Sequence, residues 1–260
     1  MSAAARPVTV VIAAKDEEQR VAATVRAAAA IPGVNAVVVV DDGSSDHTGD
    51  VARAAGAAVV RHDRNRGKAA AMQTGATAAG QGASAAGEGR LLLFLDADLG
   101  TSATAAAPLV LPVASGAADM TIALLPTQAT AGGGHGLVVR LARDGIMRAT
   151  GWSATQPLSG QRCMTLGAFE AALPLATGFG VEVGLTIDLL RQDFELLEVP
   201  CDLHHRVTGT DLRAQLHRGR QFRDVALALV RRGVLPQRFD RMPGAVRRAV
   251  IGADRLRRRR

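Results

Sequence analysis

Short, unbroken apolar runs set the pattern of the first hundred residues. Residues 8–13, 36–40, 57–61 and 91–95 are such runs but for Thr9 and the closing Arg61, the last reading Leu-Leu-Leu-Phe-Leu. Each is too short for a globular helix and reads as a buried strand. Alanine-rich stretches lie between them. One helix is predicted to start in Lys15-Asp16-Glu17-Glu18, whose acids suit a helix N-terminus, and to stop at Pro32-Gly33. A second follows Asp41-Asp42-Gly43-Ser44-Ser45-Asp46-His47-Thr48, where Gly43 permits a tight turn and Ser44, Ser45 or Asp46 can cap. A third begins near Lys68, and residues 80–89 form a flexible separator before the 91–95 strand. Strand and helix alternating four times through short loops predict an α/β fold with a parallel, doubly wound sheet.

The second half is more mixed. Residues 119–125 read as a fifth strand, 126–136 as a loop containing Gly132-Gly133-Gly134, and 137–150 as a helix. Residues 157–164 look like a loop entering a short strand. Gly178-Phe179-Gly180 reads as a flexible approach to a helix with Glu182 in its first turn and an amphipathic Val183, Ile187, Leu190 stripe. Residues 194–199 form a strand, and a long basic helix starts near Asp211. No internal repeat is visible.

Composition narrows the classes. A chain of 260 residues with 48% hydrophobic and 21% charged residues suits one large globular domain or a domain with an appendage. Aromatics at 3% and the absence of Tyr argue against a base-stacking nucleic-acid binder. No apolar run is long enough for a membrane span, and residues 1–7 do not read as the start of a signal peptide. Cys163 and Cys201 have no metal spacing and are expected as buried reduced thiols, with the cytoplasm as the expected location. The net charge of +7 is uneven: 15 arginines against three aspartates follow residue 212, leaving about −5 for residues 1–212. The basic end reads as a solvated terminus, or as a helix lying on an anionic membrane.

The chemistry concentrates at strand ends, where open α/β sheets bind ligands. Asp96 and Asp98 close the 91–95 strand one residue apart, so they point the same way if strand geometry persists. Their repulsion is relieved by a hard divalent cation, Mg²⁺ or Mn²⁺, bridging to a nucleotide diphosphate; the plainer alternative is a solvated turn. No G-x-G-x-x-G follows the first strand and no P-loop motif is present, so the dinucleotide and P-loop readings lose their main support. Asp16 with Glu17, and Asp41 with Asp42, add acid at two further strand ends. Acid repels phosphate, so these groups suit base, ribose or metal. Lys15 and Lys68 are the only lysines against 29 arginines, and Lys68 follows Gly67 at a helix start, suited to a diphosphate or the nucleotide pocket.

Taken in order, Asp41-Asp42-Gly43-Ser44-Ser45-Asp46-x-Thr48, Asn65-x-Gly67-Lys68 and Leu95-Asp96-Ala97-Asp98 resemble the nucleotide-sugar glycosyltransferases of GT-A type, family 2, over most of residues 8–210. Gln156-Pro157-Leu158-Ser159-Gly160, the Gly178 to Leu185 stretch and a His-Arg pair resemble glucosyl-3-phosphoglycerate synthases. The resemblance implies a doubly wound, mostly parallel sheet with a C-terminal acceptor-side α/β segment. Residues 1–212 would be the transferase domain, with 1–125 its nucleotide-sugar half, 126–212 its acceptor half and 213–260 a basic helical segment. It further implies that Ala13, Asp16, Glu17, Asp41, Gly43, Lys68, Asp96 and Ala97 line the nucleotide sugar, with Asp41 on the base. Asp98 and His205 would ligate Mg²⁺ or Mn²⁺, His204 being the alternative ligand. Gly133, Gly134, Ser159, Gly160 and Glu182 would meet the acceptor, Glu182 beside its hydroxyl. The implied reaction moves glucose from UDP- or GDP-glucose to 3-phosphoglycerate. The chain departs from the pattern at Ala13-Ala14, at Leu124-Leu125-Pro126 and at His135-Gly136-Leu137, the last two where that family offers cations or polar groups to a phosphorylated acceptor. A polyprenyl-phosphate glycosyltransferase at the membrane surface is the alternative enzyme, and a nucleic-acid-binding module the non-enzymatic one. Homo-oligomerisation stays open.

Overall fold

A computed structural model of the chain describes residues 6–81, 89–126, 135–204 and 212–235, together with 244 and 248. Seven strands form one mixed sheet: β1 (Val8–Ala14), β2 (Val34–Asp41), β3 (Ala58–Arg61), β4 (Leu91–Asp96), β5 (Met120–Leu124), β6 (Arg162–Thr165) and β7 (Leu196–Pro200). Their order is β3-β2-β1-β4-β6-β5-β7. β1 to β4 pair in parallel, as their unbroken apolar runs predict. β6 is antiparallel to β4 and β5, and β7 is parallel to β5. That single reversal brings the residues entering β6 to the edge where β1, β2 and β4 end.

The runs are unbroken because both faces of the sheet are covered. Val10, Ile12, Val39, Leu93 and Leu95 pack with α1 (Val21–Ala29) and with a 3-10 helix, Gly100–Leu109. Val38 and Val40 pack against Ala71 of α3 (Lys68–Gln81) on the other face. There Phe94 also stacks on Phe169 of α6 (Leu166–Ala171), with ring centroids 5.3 Å apart. α2 (Thr48–Ala54) joins β2 to β3, and α4 (Val110–Ala114) precedes β5. The helical stretch after Asp98 has no counterpart in the sequence pattern.

The first helix departs from expectation. It begins at Val21, with no acid in its first turn. Asp16 has a φ of 55°, outside the helical region. The N–H groups of Asp16, Glu17 and Glu18 instead donate to Ser44 Oγ, Thr48 Oγ1 and Asp46 Oδ2. Tertiary partners thus replace the helix that local preference favours.

The chain divides into two compact units. The first comprises Met1–Thr127, Ser159–Leu173 and Phe194–Arg206, and holds the whole sheet. The second comprises Gln128–Leu158, Pro174–Asp193 and Val207–Arg260. In it α5 (His135–Thr150), α7 (Val181–Leu190) and α8 (Leu212–Arg231) share a core of Val138, Ile146, Val183, Ile187, Val225 and Leu229. α7 is buried on nearly all sides rather than along the expected stripe, since Glu182, Gly184, Leu185 and Thr186 are buried too. Its sequence is apolar almost all round, which is the mark of an interior helix. Both cysteines are free and buried, and burial pushes the Cys163 thiol up to about 12 and that of Cys201 to about 11. Among the described residues no helix is long and apolar enough to cross a membrane.

Candidate active site

Strand register gathers the site in the first unit. Ala13, half-buried at the end of β1, lies between Val40 and Asp96, and Ala14 lies opposite Asp41. The loops after β1, β2, β3 and β4 therefore leave the sheet along one edge.

The first two loops are knitted together by their acids. Asp16 Oδ1 accepts from the backbone N–H and the hydroxyl of Ser45, and its Oδ2 from Lys15 Nζ, which also donates to Gly43 O. These bonds, the Ser45 N–H foremost, hold the Asp16 carboxyl below its ordinary range. Asp46 accepts from the backbone of Glu18 and Thr48. Burial would raise its pKa, but these bonds outweigh burial and lower it. Glu17 lies beside Arg20, 3.8 Å away. Gly43 has a φ of 69°, and a side chain there would strike the Arg64 and Asn65 backbone at 2.5–2.7 Å. The β2 loop is thereby seated on the β3 loop.

Asp41 and Asp42 split their work. Asp41 is fully buried, with Oδ1 accepting from Ser44 N–H. Its Oδ2 lies 3.4 Å from Arg61 and has no hydrogen bond. Asp42 gathers the β3 loop: Oδ1 meets His62 Nδ1 at 2.7 Å and accepts from Arg66 N–H, while Oδ2 accepts from Gly67 N–H. His62 Nε2 in turn meets Thr74 Oγ1 at 2.9 Å. Burial works to raise the Asp42 pKa, but the His62, Arg66 and Gly67 bonds prevail and lower it.

Lys68 follows directly and opens α3. Its Nζ donates to Asp96 Oδ1 at 2.8 Å, while Gln161 Nε2 donates to Asp96 Oδ2 at 2.6 Å. The sequence suited Lys68 to a diphosphate or the nucleotide pocket; in the structure its ammonium is the counter-ion of Asp96. Gln161 has no exposure and sits in the turn entering β6, which the fully buried Arg162 shapes by donating to Ser159 O at 2.9 Å. Ser159 Oγ and Gln161 Oε1 are buried without hydrogen-bond partners. Gly160 closes the cluster: a Cβ there would lie 2.4 Å from Lys68 Nζ and 3.2–3.3 Å from the Asp96 oxygens. The flexible lysine tip would yield before the backbone. Gly160→Ala is therefore expected to displace Lys68 from Asp96 and, on the nucleotide-sugar role the resemblance implies for both, to weaken UDP binding by about tenfold, with thermal stability nearly unchanged. Calorimetry beside a thermal melt checks both.

The turn carrying Asp98 is clamped from α1. Thr24 Oγ1 donates to Ala97 O and accepts from Gly100 N–H, each at 2.8 Å. Ala97 is buried in that turn, and Asp98 is partly exposed. Ser102 Oγ, one turn further on, accepts from His204 N–H at 3.2 Å, tying the segment after β7 to the same place. The His204 imidazole lies 3.2 Å from Asp202. His205, Gly133 and Gly134 lie outside the described residues. Among the described residues no group of three His, Cys, Asp or Glu side chains is placed to hold a metal ion. Asp98 offers the oxygen donor that a hard cation takes, and Asp96, two residues before it, is charge-balanced by Lys68. In the second unit, Glu182 occupies the first turn of α7, 9% exposed, with its backbone oxygen accepting from Thr186 Oγ1.

Thr24, His62, Gln161 and Arg162 were not among the site candidates read from the sequence, whereas Asp42 was, as one of the strand-end acids suited to base, ribose or metal. The structure instead commits Asp42 to His62, Arg66 and Gly67 of the β3 loop.

Residues 9–135 match the family model described as Glycosyl transferase family 2. With the mixed sheet and its acid-bearing edge, this defines a glycosyltransferase of GT-A fold whose residues 9–135 match family 2. Among solved structures, the chain is similar to glucosyl-3-phosphoglycerate synthase from Mycobacterium tuberculosis in complex with Mn²⁺, UDP and phosphoglyceric acid. That likeness has a TM-score of 0.71 and 25% identity, covering 90% of this chain and 80% of that one. The same enzyme with Mg²⁺ and UDP gives a TM-score of 0.70 at 25% identity, over 89% and 81% of the two chains. A stretch of 75 residues is 44% identical to the succinoglycan biosynthesis protein ExoU of Rhizobium meliloti (strain 1021), covering 27% of this chain and 22% of that protein.

Proposed function

We propose that this glycosyltransferase moves glucose from UDP- or GDP-glucose to a small soluble acceptor, with 3-phosphoglycerate the first to test, and that it depends on Mg²⁺ or Mn²⁺. The observation that carries the reading is Asp96 held between Lys68 and Gln161 at the strand edge, two residues before Asp98. A carboxylate fixed in this way is oriented to accept from ribose or sugar hydroxyls without repelling the diphosphate, because Lys68 offsets its charge. Asp98 would hold the cation, with His205 beside it. The cation, when bound, would neutralise the leaving diphosphate. Asp16 and Glu17 shape the base and ribose side. Asp41, in the reading proposed here, keeps Oδ2 as the acceptor for a base N–H.

The assay is transfer from UDP-glucose and GDP-glucose, with and without Mn²⁺, to phosphorylated and lipid-linked acceptors. Product with 3-phosphoglycerate supports the reading; product only with a polyprenyl phosphate would replace the acceptor class. Glu182 sets the stereochemical prediction. Retention leaves the acceptor proton to the departing phosphate, so Glu182 orients the acceptor rather than acting as base. Glu182→Gln is expected to lower turnover by about tenfold or more, with UDP-glucose affinity unchanged and the residual product α-linked. Proton NMR of the anomeric signal checks it. A β-linked wild-type product would refute retention and make Glu182 the general base; full activity in Glu182→Gln would remove it from the mechanism.

A further inference from the structure

We infer that Asp224, on α8, is a positioning residue that fixes the segment carrying Glu182; its catalytic consequence rests on the role proposed for Glu182. Asp224 is the one acid in an otherwise basic helix. Its side chain is only 12% exposed, so its charge requires partners. Oδ1 accepts from Arg223 Nε and NH2 at 3.0 and 2.9 Å, and Oδ2 accepts from the Phe179 N–H at 3.2 Å.

That last bond crosses from α8 to a helix start that lacks its own cap. Residues Gly178–Gly180 form a 3-10 turn running directly into α7. Neither Thr177 nor Gly180 makes a side-chain capping bond. The open N–H groups of a helix start favour a carboxylate, and Asp224 supplies it from a neighbouring helix. Glycine makes the approach physically allowed. Gly178 has a φ of 61°, and a Cβ there would lie 2.1 Å from Asp224 Oδ2. At Gly180 it would lie 2.7 Å from both Asp224 O and the Ala228 Cβ. The Gly178-Phe179-Gly180 motif, expected as a flexible approach, is therefore a close-packed seat for α8. Glu182 stands two residues beyond it, so the docking of this turn sets where its carboxylate projects. α8 is in this sense part of the acceptor machinery and not an appended tail.

The test uses the full chain carrying Asp224→Ala or Asp224→Asn. Transfer is measured with UDP-glucose and 3-phosphoglycerate, donor affinity by calorimetry, and amide exchange at residues 179–182 by mass spectrometry. Asp224→Ala is expected to raise the acceptor KM or lower kcat by about tenfold, with donor affinity within about twofold and cooperative melting retained. Exchange at 179–182 should quicken while α5 stays protected. Asp224→Asn should restore most of both, because its amide oxygen still accepts from Phe179. Wild-type kinetics and exchange in Asp224→Ala would overturn the inference, as would a loss that tracks global unfolding or that Asn does not rescue. If 3-phosphoglycerate is no acceptor, the acceptor assignment fails while the exchange result still decides the positioning. If Glu182→Gln is fully active but Asp224→Ala is impaired and Asn rescues it, the role of Glu182 falls and the seat stands.

Discussion

Asp98→Ala is expected to reduce transfer at least about a hundredfold and to abolish Mn²⁺-dependent UDP binding, while the protein still melts cooperatively. The size of the loss follows from the charge that must be met. In the reading proposed above, a leaving nucleotide diphosphate would place its negative charge near Asp96, and a cation that offsets it would need a hard oxygen donor. Asp96 already bears Lys68 and Gln161 on its two oxygens, so Asp98 is the carboxylate proposed to serve as the cation's donor. The fold should tolerate the change because Asp98 lies beyond β4, in a turn held through the backbone of Ala97 and Gly100 by Thr24. Transfer assays and calorimetry with and without Mn²⁺ make the measurement. Near-normal transfer that still requires metal would move the site elsewhere.

Asp42→Asn is expected to cost about 3 kcal/mol of stability or more at neutral pH and to weaken donor binding in the folded remainder. Asp42 is buried and accepts from Arg66 N–H, Gly67 N–H and His62. An amide has one good acceptor oxygen, so donors are left poorly paired in a low-dielectric loop, at about 1–3 kcal/mol each. The same loop carries Lys68, so its loosening should reach Asp96. The pH dependence gives an independent check. Although burial opposes it, the folded-state pKa of Asp42 lies below its unfolded value. Its contribution to stability is thus present above the unfolded pKa and lost as pH falls through the folded one. Wild-type stability should fall on the acid side below about pH 4, and Asp42→Asn should show a flatter acid limb. Urea unfolding between acid and neutral pH reads this directly; parallel acid limbs in the two proteins would refute the role given to Asp42.

The unbroken runs at 8–13, 36–40 and 91–95 were readable as central strands because a strand covered on both faces needs apolar residues at every position. The spacing of Asp96 and Asp98 at the end of such a run was equally local, and so was the order of the loops bearing Asp41, Lys68 and Asp98. What those acids do was less legible. Asp16 and Asp46 look like helix-start acids from their neighbours in sequence, yet they satisfy backbone N–H groups about thirty residues away.

The sequence by itself determined the parallel half of the sheet, the edge at which ligands gather and the residue types offered there, since period and composition act over a few residues. Only the tertiary structure decided which of these groups pair. Gln161 reaches Asp96 across 65 residues because β6 runs antiparallel beside β4, and Thr24 holds the Asp98 turn across 73 and 76. Asp224 similarly caps a turn 45 residues earlier in the chain. Such contacts leave no periodic trace, because each depends on where a whole element docks rather than on what stands next to the residue.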